Sequence, residues 1–267
     1  MQRRNFLSGA VAAVSLPAMA KAEPGASGGR LEPLALGPVR ALLARPRRTG
    51  GVGVILQPTI AAIDDYMTRT ALSLAELGHT VLIWDPYRGE RPPQDMRGQL
   101  ERSRGIADDD AMHDLMACSE HLSGALGMRR VATIGWCLGG RFGLLQGGLD
   151  QRIDLVCAYN PTIYAARPVP LYGIPTSKAD FPGQTLDEFA LAAHIRGPVQ
   201  VCRPGKDLAQ PAEYQRLQEV LYARQAPTLI NYFPQAEHGF AYHVATQGDR
   251  AAAAIAWPAT LALIAGF

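Results

Sequence analysis

Apolar and polar positions along this chain fall into two alternating kinds of segment. Short β-rich apolar runs at residues 52–57, 80–84, 131–134, 153–159, 199–202 and 228–233 read as strands. Between them lie amphipathic stretches at 63–77, 108–126, 138–145 and 212–223, and a last apolar helix covers 251–264. Strand, helix, strand in this rhythm predicts an α/β fold, a mostly parallel sheet covered by helices on both faces. Gly78 supplies the stop for the first helix, because glycine enters the left-handed conformation without a steric cost.

Two stretches break the rhythm. Residues 89–105 are polar and proline-bearing, and residues 161–189 carry prolines, glycines and the aromatics Tyr164, Tyr172 and Phe181. The second is expected to be a cover over a functional site. Pro258 is expected to interrupt the last helix, which reads as a buried docking element rather than a membrane tail.

Composition narrows the function. The 267 residues are 48% hydrophobic and 19% charged, with 26 basic and 24 acidic side chains and a formal charge of +2. No basic stripe is present to track phosphates, so nucleic acid is not an expected partner. Four cysteines, none in a Cys-x-x-Cys pair, are neither a disulfide framework nor a structural zinc site.

The first 22 residues have the layout of an export signal: Arg3 and Arg4, an apolar stretch from Phe6 to Ala20, then small residues at Ala18, Ala20 and Ala22. Arg3-Arg4 before Asn5-Phe6-Leu7 resembles the twin-arginine type, so the export machinery is an expected partner and the location is periplasmic or secreted. Removing residues 1–22 takes away Arg3, Arg4 and Lys21 and leaves a formal charge of −1. Residues 23–30 read as a flexible linker, and 31–267 as one α/β domain with no stable membrane span.

Candidate chemistry sits where the run 131–134 meets Gly135-Trp136-Cys137-Leu138-Gly139-Gly140. A glycine two residues either side of a central residue is the pattern of a strand-to-helix elbow that presents a nucleophile. Bulkier side chains there would collide. Cys137 then stands at a helix N-terminus, which favours a thiolate, and Leu138 offers its N–H to an oxyanion. Downstream, Asp207 follows the strand run 199–202 and His238 follows 228–233, giving the chain order nucleophile, acid, histidine of a triad at the top of such a sheet.

Blander readings stand beside these. Cys137 is also compatible with a packed core cysteine, His238 with a surface histidine and Asp207 with a turn cap. Cys118, Cys157 and Cys202 lie on apolar elements and read as packing residues, with a disulfide between two of them left open. Asp110, His113 and Asp114 share a helix face and read as an acidic helix start, with a metal site as the alternative. Trp136, Tyr87 and Tyr242 are candidate pocket walls, with Trp136 equally suited to packing beneath the elbow, and His243 reads as a solvated loop residue.

The elbow, Asp207 in a Gly-x-Asp loop and His238-Gly239-Phe240 together resemble the dienelactone hydrolase family of α/β hydrolases, from about Pro38 onward and including Asp85-Pro86-Tyr87. The resemblance implies an α/β-hydrolase fold and cleavage of a small ester or lactone through an acyl-thioester, with no cofactor or metal. It also implies a second oxyanion N–H at Thr59. The sequence departs from the family at three positions. Pro58 replaces the glutamate after Gln57 that takes part in activating the cysteine, Tyr242 stands in register with an arginine that holds a substrate carboxylate, and a second such arginine matches Arg88 only with a one-residue shift. A periplasmic binding or accessory protein with a degenerate site, and an acyltransferase using the same triad, remain alternatives.

Overall fold

A computed structural model describes residues 30–48, 50–171, 174–207 and 211–266; the expected signal and nearly all of the expected linker lie outside them. Eight strands form one sheet in the order β1-β2-β4-β3-β5-β6-β9-β10. They are β1 (Leu31–Leu36), β2 (Val39–Ala44), β3 (Gly53–Gln57), β4 (Thr80–Asp85), β5 (Val131–Trp136), β6 (Ile153–Tyr159), β9 (Val199–Lys206) and β10 (Thr228–Glu237). The β1–β2 and β2–β4 pairs are antiparallel and the rest are parallel. The expected α/β architecture is thus present, with an antiparallel hairpin at one edge that the apolar pattern did not mark.

Strand burial explains the sheet's composition. Every residue of β3 and of β5 is buried, because alternate side chains enter two separate cores. Ile55 and Leu82 face one, with Leu115, Phe142 and Leu145; Val54 and Leu56 face the other, with Met67, Leu74, Ala252 and Ile264. The first face is covered by α3 (Asp108–Glu120), α4 (Leu138–Leu149) and α6 (Pro211–Ala223), the second by α1 (Asp65–Glu76) and α7 (Gln247–Ala265).

The two interrupted stretches are structured. The polar one contains α2 (Met96–Ser103), which buries only Leu100 and Ser103. The other carries the hairpin β7 (Val169–Leu171) and β8 (Ile174–Thr176), a 3-10 turn, and then α5 (Glu188–Ala192). Pro258 does not interrupt α7, which runs through it. The carbonyl its missing N–H leaves free belongs to Ala254, on the exposed side of the helix where water can satisfy it. Among the described residues no helix is long and apolar enough to cross a membrane.

The order β4-β3-β5 is decisive for the site. From β3 the chain moves outward to β4 and then crosses back to β5 on the other side. The carboxyl ends of β3 and β5 therefore flank a reversal of strand order, the place where open α/β sheets form a binding crevice.

Candidate active site

Cys137 lies between β5 and α4 with φ +54 and ψ −116, a backbone state that a non-glycine residue adopts only at a cost of order 1–3 kcal/mol. The flanking glycines make this turn possible. A Cβ on Gly135 would lie 2.0 Å from the Gly139 carbonyl oxygen, and one on Gly139 would lie 2.2 Å from that of Gln57. The turn is pinned on both sides, because Cys137 N–H donates to the Tyr159 carbonyl (3.0 Å) and Gly139 N–H donates to that of Pro58 (3.1 Å). The second bond ties the elbow to the end of β3, next to Thr59.

Asp207 and His238 arrive together through strand register. β9 continues past Cys202 to Lys206, and β10 continues through an irregularity after Phe233 to Glu237, so that Lys206 and Glu237 are paired. Asp207 and His238 are the next residue on each strand. His238 Nδ1 lies 2.6 Å from Asp207 Oδ1, with both side chains nearly buried. The other carboxylate oxygen accepts a 2.6 Å hydrogen bond from the Tyr214 hydroxyl on α6. With Nδ1 committed to Asp207, the hydrogen bond between His238 and Cys137 runs through Nε2.

The electrostatics separate Cys137 from the other cysteines. Burial opposes ionisation of its thiol more than any other single influence. The His238 charge, hydrogen bonds from His238 and Thr162, and the Leu138 N–H nevertheless hold the thiol below its ordinary value. For His238, burial pulls the imidazole down, but the charges of Cys137 and Asp207 and the hydrogen bonds to both raise it above its ordinary value. All four cysteines are buried free thiols. Burial pushes Cys157 up to about 12 and also raises Cys118 and Cys202, as expected of packing residues.

The remaining candidates divide. Tyr87 is buried beside the elbow, its hydroxyl donating to the Ile60 carbonyl (2.8 Å). Trp136 is fully buried and stacks on Tyr159 at 5.5 Å, beneath the elbow. Tyr242 packs near Tyr66, which meets Trp136 edge-on. Arg88 is directed elsewhere: Nε and Nη2 both donate to Asp114 at 2.9 Å, and Nη2 also reaches Asp110. The acidic face of α3 thus receives an arginine, and among the described residues no group of three or more His, Cys, Asp or Glu is placed to hold a metal. His243 is exposed.

Sequence reasoning missed Tyr214 and the segment Asn160-Pro161-Thr162 after β6. The Thr162 hydroxyl lies 3.2 Å from Cys137 Sγ, and Asn160 Nδ2 lies 3.2 Å from His238 Nε2. The available signal was position, immediately after the strand next to the elbow strand.

Residues 161–189 return over the elbow helix. Tyr164 stacks on Phe181 at 4.0 Å. Arg141, fully buried on α4, donates Nη1 and Nη2 to the two oxygens of Asp108 at 2.6 and 3.0 Å and Nη2 to the Leu186 carbonyl. Asp108 also accepts the Leu186 N–H, and Lys178 and Glu188 form an adjoining ion pair.

A mostly parallel eight-stranded sheet with a strained strand-to-helix elbow at its reversal point defines an α/β hydrolase. The chain belongs to the dienelactone hydrolase family, whose profile matches residues 39–267, and is a dienelactone hydrolase-like hydrolase. Carboxymethylenebutenolidase of Rhodococcus opacus is 25% identical over 206 residues, 76% of this chain and 75% of that protein. Among solved structures, one from Klebsiella pneumoniae subsp. pneumoniae described under the dienelactone hydrolase name superposes with a TM-score of 0.72 at 19% identity, over 86% of this chain and 93% of that one. A dienelactone hydrolase-like promiscuous phosphotriesterase from metagenomic libraries gives 0.69 at 18% identity, over 89% and 98%. At these identities the structural likenesses establish the fold.

Proposed function

We propose that this protein is an exported cysteine hydrolase that cleaves a small carboxylic ester or lactone through an acyl-thioester. The observation that carries the reading is Cys137 on a positive-φ elbow, hydrogen-bonded to a histidine whose other nitrogen is held by Asp207 at 2.6 Å. The Cys137 thiolate attacks the carbonyl carbon, and the oxyanion takes the N–H groups of Leu138 and Thr59. His238 gives its proton to the departing alkoxide. Water then attacks the thioester, His238 accepts its proton, and the acid leaves as the thiolate is restored. Asp207 fixes the imidazole tautomer throughout. The commitment of Arg88 to Asp114, with Tyr242 in register with the other family arginine, favours an acyl group without a second carboxylate. Tyr87 and Tyr242 form walls of the pocket in this reading.

Trapping tests it directly. A chromogenic acetate ester, quenched early in acid, is expected to leave one acetyl group on the peptide carrying Cys137. Absence of any acyl adduct during turnover would overturn the thioester, and absence of acylation without turnover would favour a binding role.

Iodoacetamide gives a second prediction. The thiol is held below its ordinary value, so the midpoint of Cys137 labelling is expected to lie at lower pH than that of a free cysteine with pKa about 8.5. Cys118, Cys157 and Cys202, held protonated by burial, are expected to remain unlabelled in the folded protein. A midpoint at or above that of free cysteine, or equal labelling of all four, would contradict a thiol lowered by His238.

Tyr214→Phe removes the donor to Asp207 Oδ2 with little change in volume. A hydrogen bond to a charged group supports an expected loss of about tenfold in kcat/KM, carried mainly by kcat. An unchanged kcat/KM would show that Asp207 is held without it.

Export rests on Arg3-Arg4 and the apolar stretch behind them. N-terminal sequencing of the mature protein should begin at Lys21 or Glu23, and Arg3→Lys with Arg4→Lys should leave it unprocessed in the cytoplasm.

A further inference from the structure

Pro58 stands where the family resemblance places a glutamate, so the carboxylate that takes part in activating the cysteine is missing at the end of β3. Another element contacts both members of the thiol–imidazole pair. Asn160, Pro161 and Thr162 leave β6 along the elbow and are fixed to it: Thr162 N–H donates to the Cys137 carbonyl (3.0 Å), and Cys137 N–H donates to that of Tyr159. Asn160 holds φ +36, its N–H donating to the Cys202 carbonyl on β9 (2.8 Å). Asparagine is the side-chain-bearing type that tolerates this region best.

We propose that Asn160 and Thr162 are positioning residues that form a neutral clamp on the Cys137–His238 pair, serving its thiol–imidazole and thiolate–imidazolium forms alike. The inference rests on the cysteine-nucleophile reading above. A hydroxyl accepts from S–H and donates to S⁻ without changing place, so the Thr162 contact at 3.2 Å survives movement of the proton. The Asn160 amide does the same by rotation. Nδ2, 3.2 Å from Nε2, donates to the neutral ring's lone pair when the Cys137 S–H turns from His238 to the Thr162 hydroxyl. When Nε2 carries a proton, a half-turn brings up Oδ1, which is buried and has no hydrogen-bond partner among the described residues.

A buried acceptor without a partner is costly in an ordinary core, and here it is the alternative face of a two-state contact. A carboxylate offers acceptors alone and stabilises one proton position over the other. The clamp therefore makes the resting pair independent of a substrate-triggered switch. The other titratable groups around the pair are Asp207 on the imidazole, Tyr214 behind Asp207, and Tyr87 and Tyr164 near the sulfur.

The test is the pH profile of iodoacetamide labelling at Cys137 in the intact protein, read with thermal melts and ester turnover. Thr162→Val keeps shape and loses the hydroxyl, and its labelling midpoint is expected to rise by about one unit, with Thr162→Ser restoring the wild-type midpoint. Asn160→Asp keeps the shape and the tolerated φ but presents acceptors alone. Its midpoint is expected to fall, while deacylation slows and acyl-enzyme accumulates, because an imidazolium held by an anion gives up its role as base toward water. Thr162→Ala serves if the valine variant melts near room temperature.

Midpoints within about 0.3 unit of wild type in both Thr162→Val and Asn160→Asp would overturn the clamp. The profile needs no ester, so this outcome is separable from failure of the underlying reading, which would appear as wild-type Cys137 labelling no faster than free cysteine.

Discussion

Cys137→Ala is expected to lower ester turnover by about 10⁴-fold to 10⁶-fold, leaving only what the oxyanion donors and substrate binding supply. The size follows from the geometry. The two glycines, the strained φ and the bonds to Tyr159 and Pro58 all place one sulfur atom, and no other cysteine has an ionisable environment. Alanine keeps the elbow and its buried surroundings, so the variant should melt close to wild type, and a steady-state assay with a melting curve separates chemistry from folding. Retention of even a tenth of wild-type kcat would move the nucleophile away from Cys137. Cys137→Ser should lie between the two, because His238 would have to deprotonate an alcohol rather than share a proton with a thiol of lowered pKa.

Asp108→Ala is expected to produce a large loss of stability, about 3–5 kcal/mol, because it leaves Arg141 charged and fully buried with its bidentate partner gone. Glu188, 3.5 Å from Nη2, is already shared with Lys178 and is a poor replacement. The loss extends beyond one ion pair. Asp108 also accepts the Leu186 N–H, so residues near Leu186 lose their side-chain attachment to α3, while the backbone bond from the Asp108 N–H to the Gly183 carbonyl remains. For a chain of this size the melting temperature should fall by about 6–20 °C. A change below about 1 kcal/mol in denaturant unfolding would show that the arginine is satisfied without Asp108.

The apolar runs located the six parallel strands; β3, β4, β5 and β6 are buried on both faces and rich in apolar residues, whereas the edge strand β10 is only half-buried and was marked by its β-prone residues Ile230, Tyr232 and Phe233. Their ends were less legible. Pro204 and Gly205 in β9, and Pro234 in β10, read as turn residues, yet β9 and β10 pair again at Lys206 and Glu237: Pro204 lies beyond the last β6–β9 pair, and Pro234 falls in the irregularity of the edge strand β10, where a missing donor is tolerated. The β1–β2 hairpin was hidden by exposed positions and Pro33, and α2 by having a single apolar residue to bury.

In the candidate site, Cys137, Asp207 and His238 could be found because local turn chemistry and chain order constrain them. Thr162, Asn160 and Tyr214 carry no such local mark. They reach the site only because β6 lies beside β5 and α6 follows β9, which is tertiary information. Arg88 shows the reverse case, a residue at nearly the right sequence position whose guanidinium is claimed by the acids of α3.

The sheet order gives the two halves of the site unequal footing. Cys137 hangs from β5, flanked on both sides by β3 and β6, whereas His238 hangs from β10, at the edge of the sheet, which pairs with β9 alone among the described residues. Edge strands open at a lower free-energy cost than central ones. Fraying of β10 would withdraw the imidazole and the few core contacts of Ile230, Phe233 and Ala236 while leaving the elbow between β3 and β6 in place, so that Cys137 loses its histidine. Opening at this edge would thus also be an off state for the proposed nucleophile, separating sulfur from imidazole without unfolding the centre of the sheet.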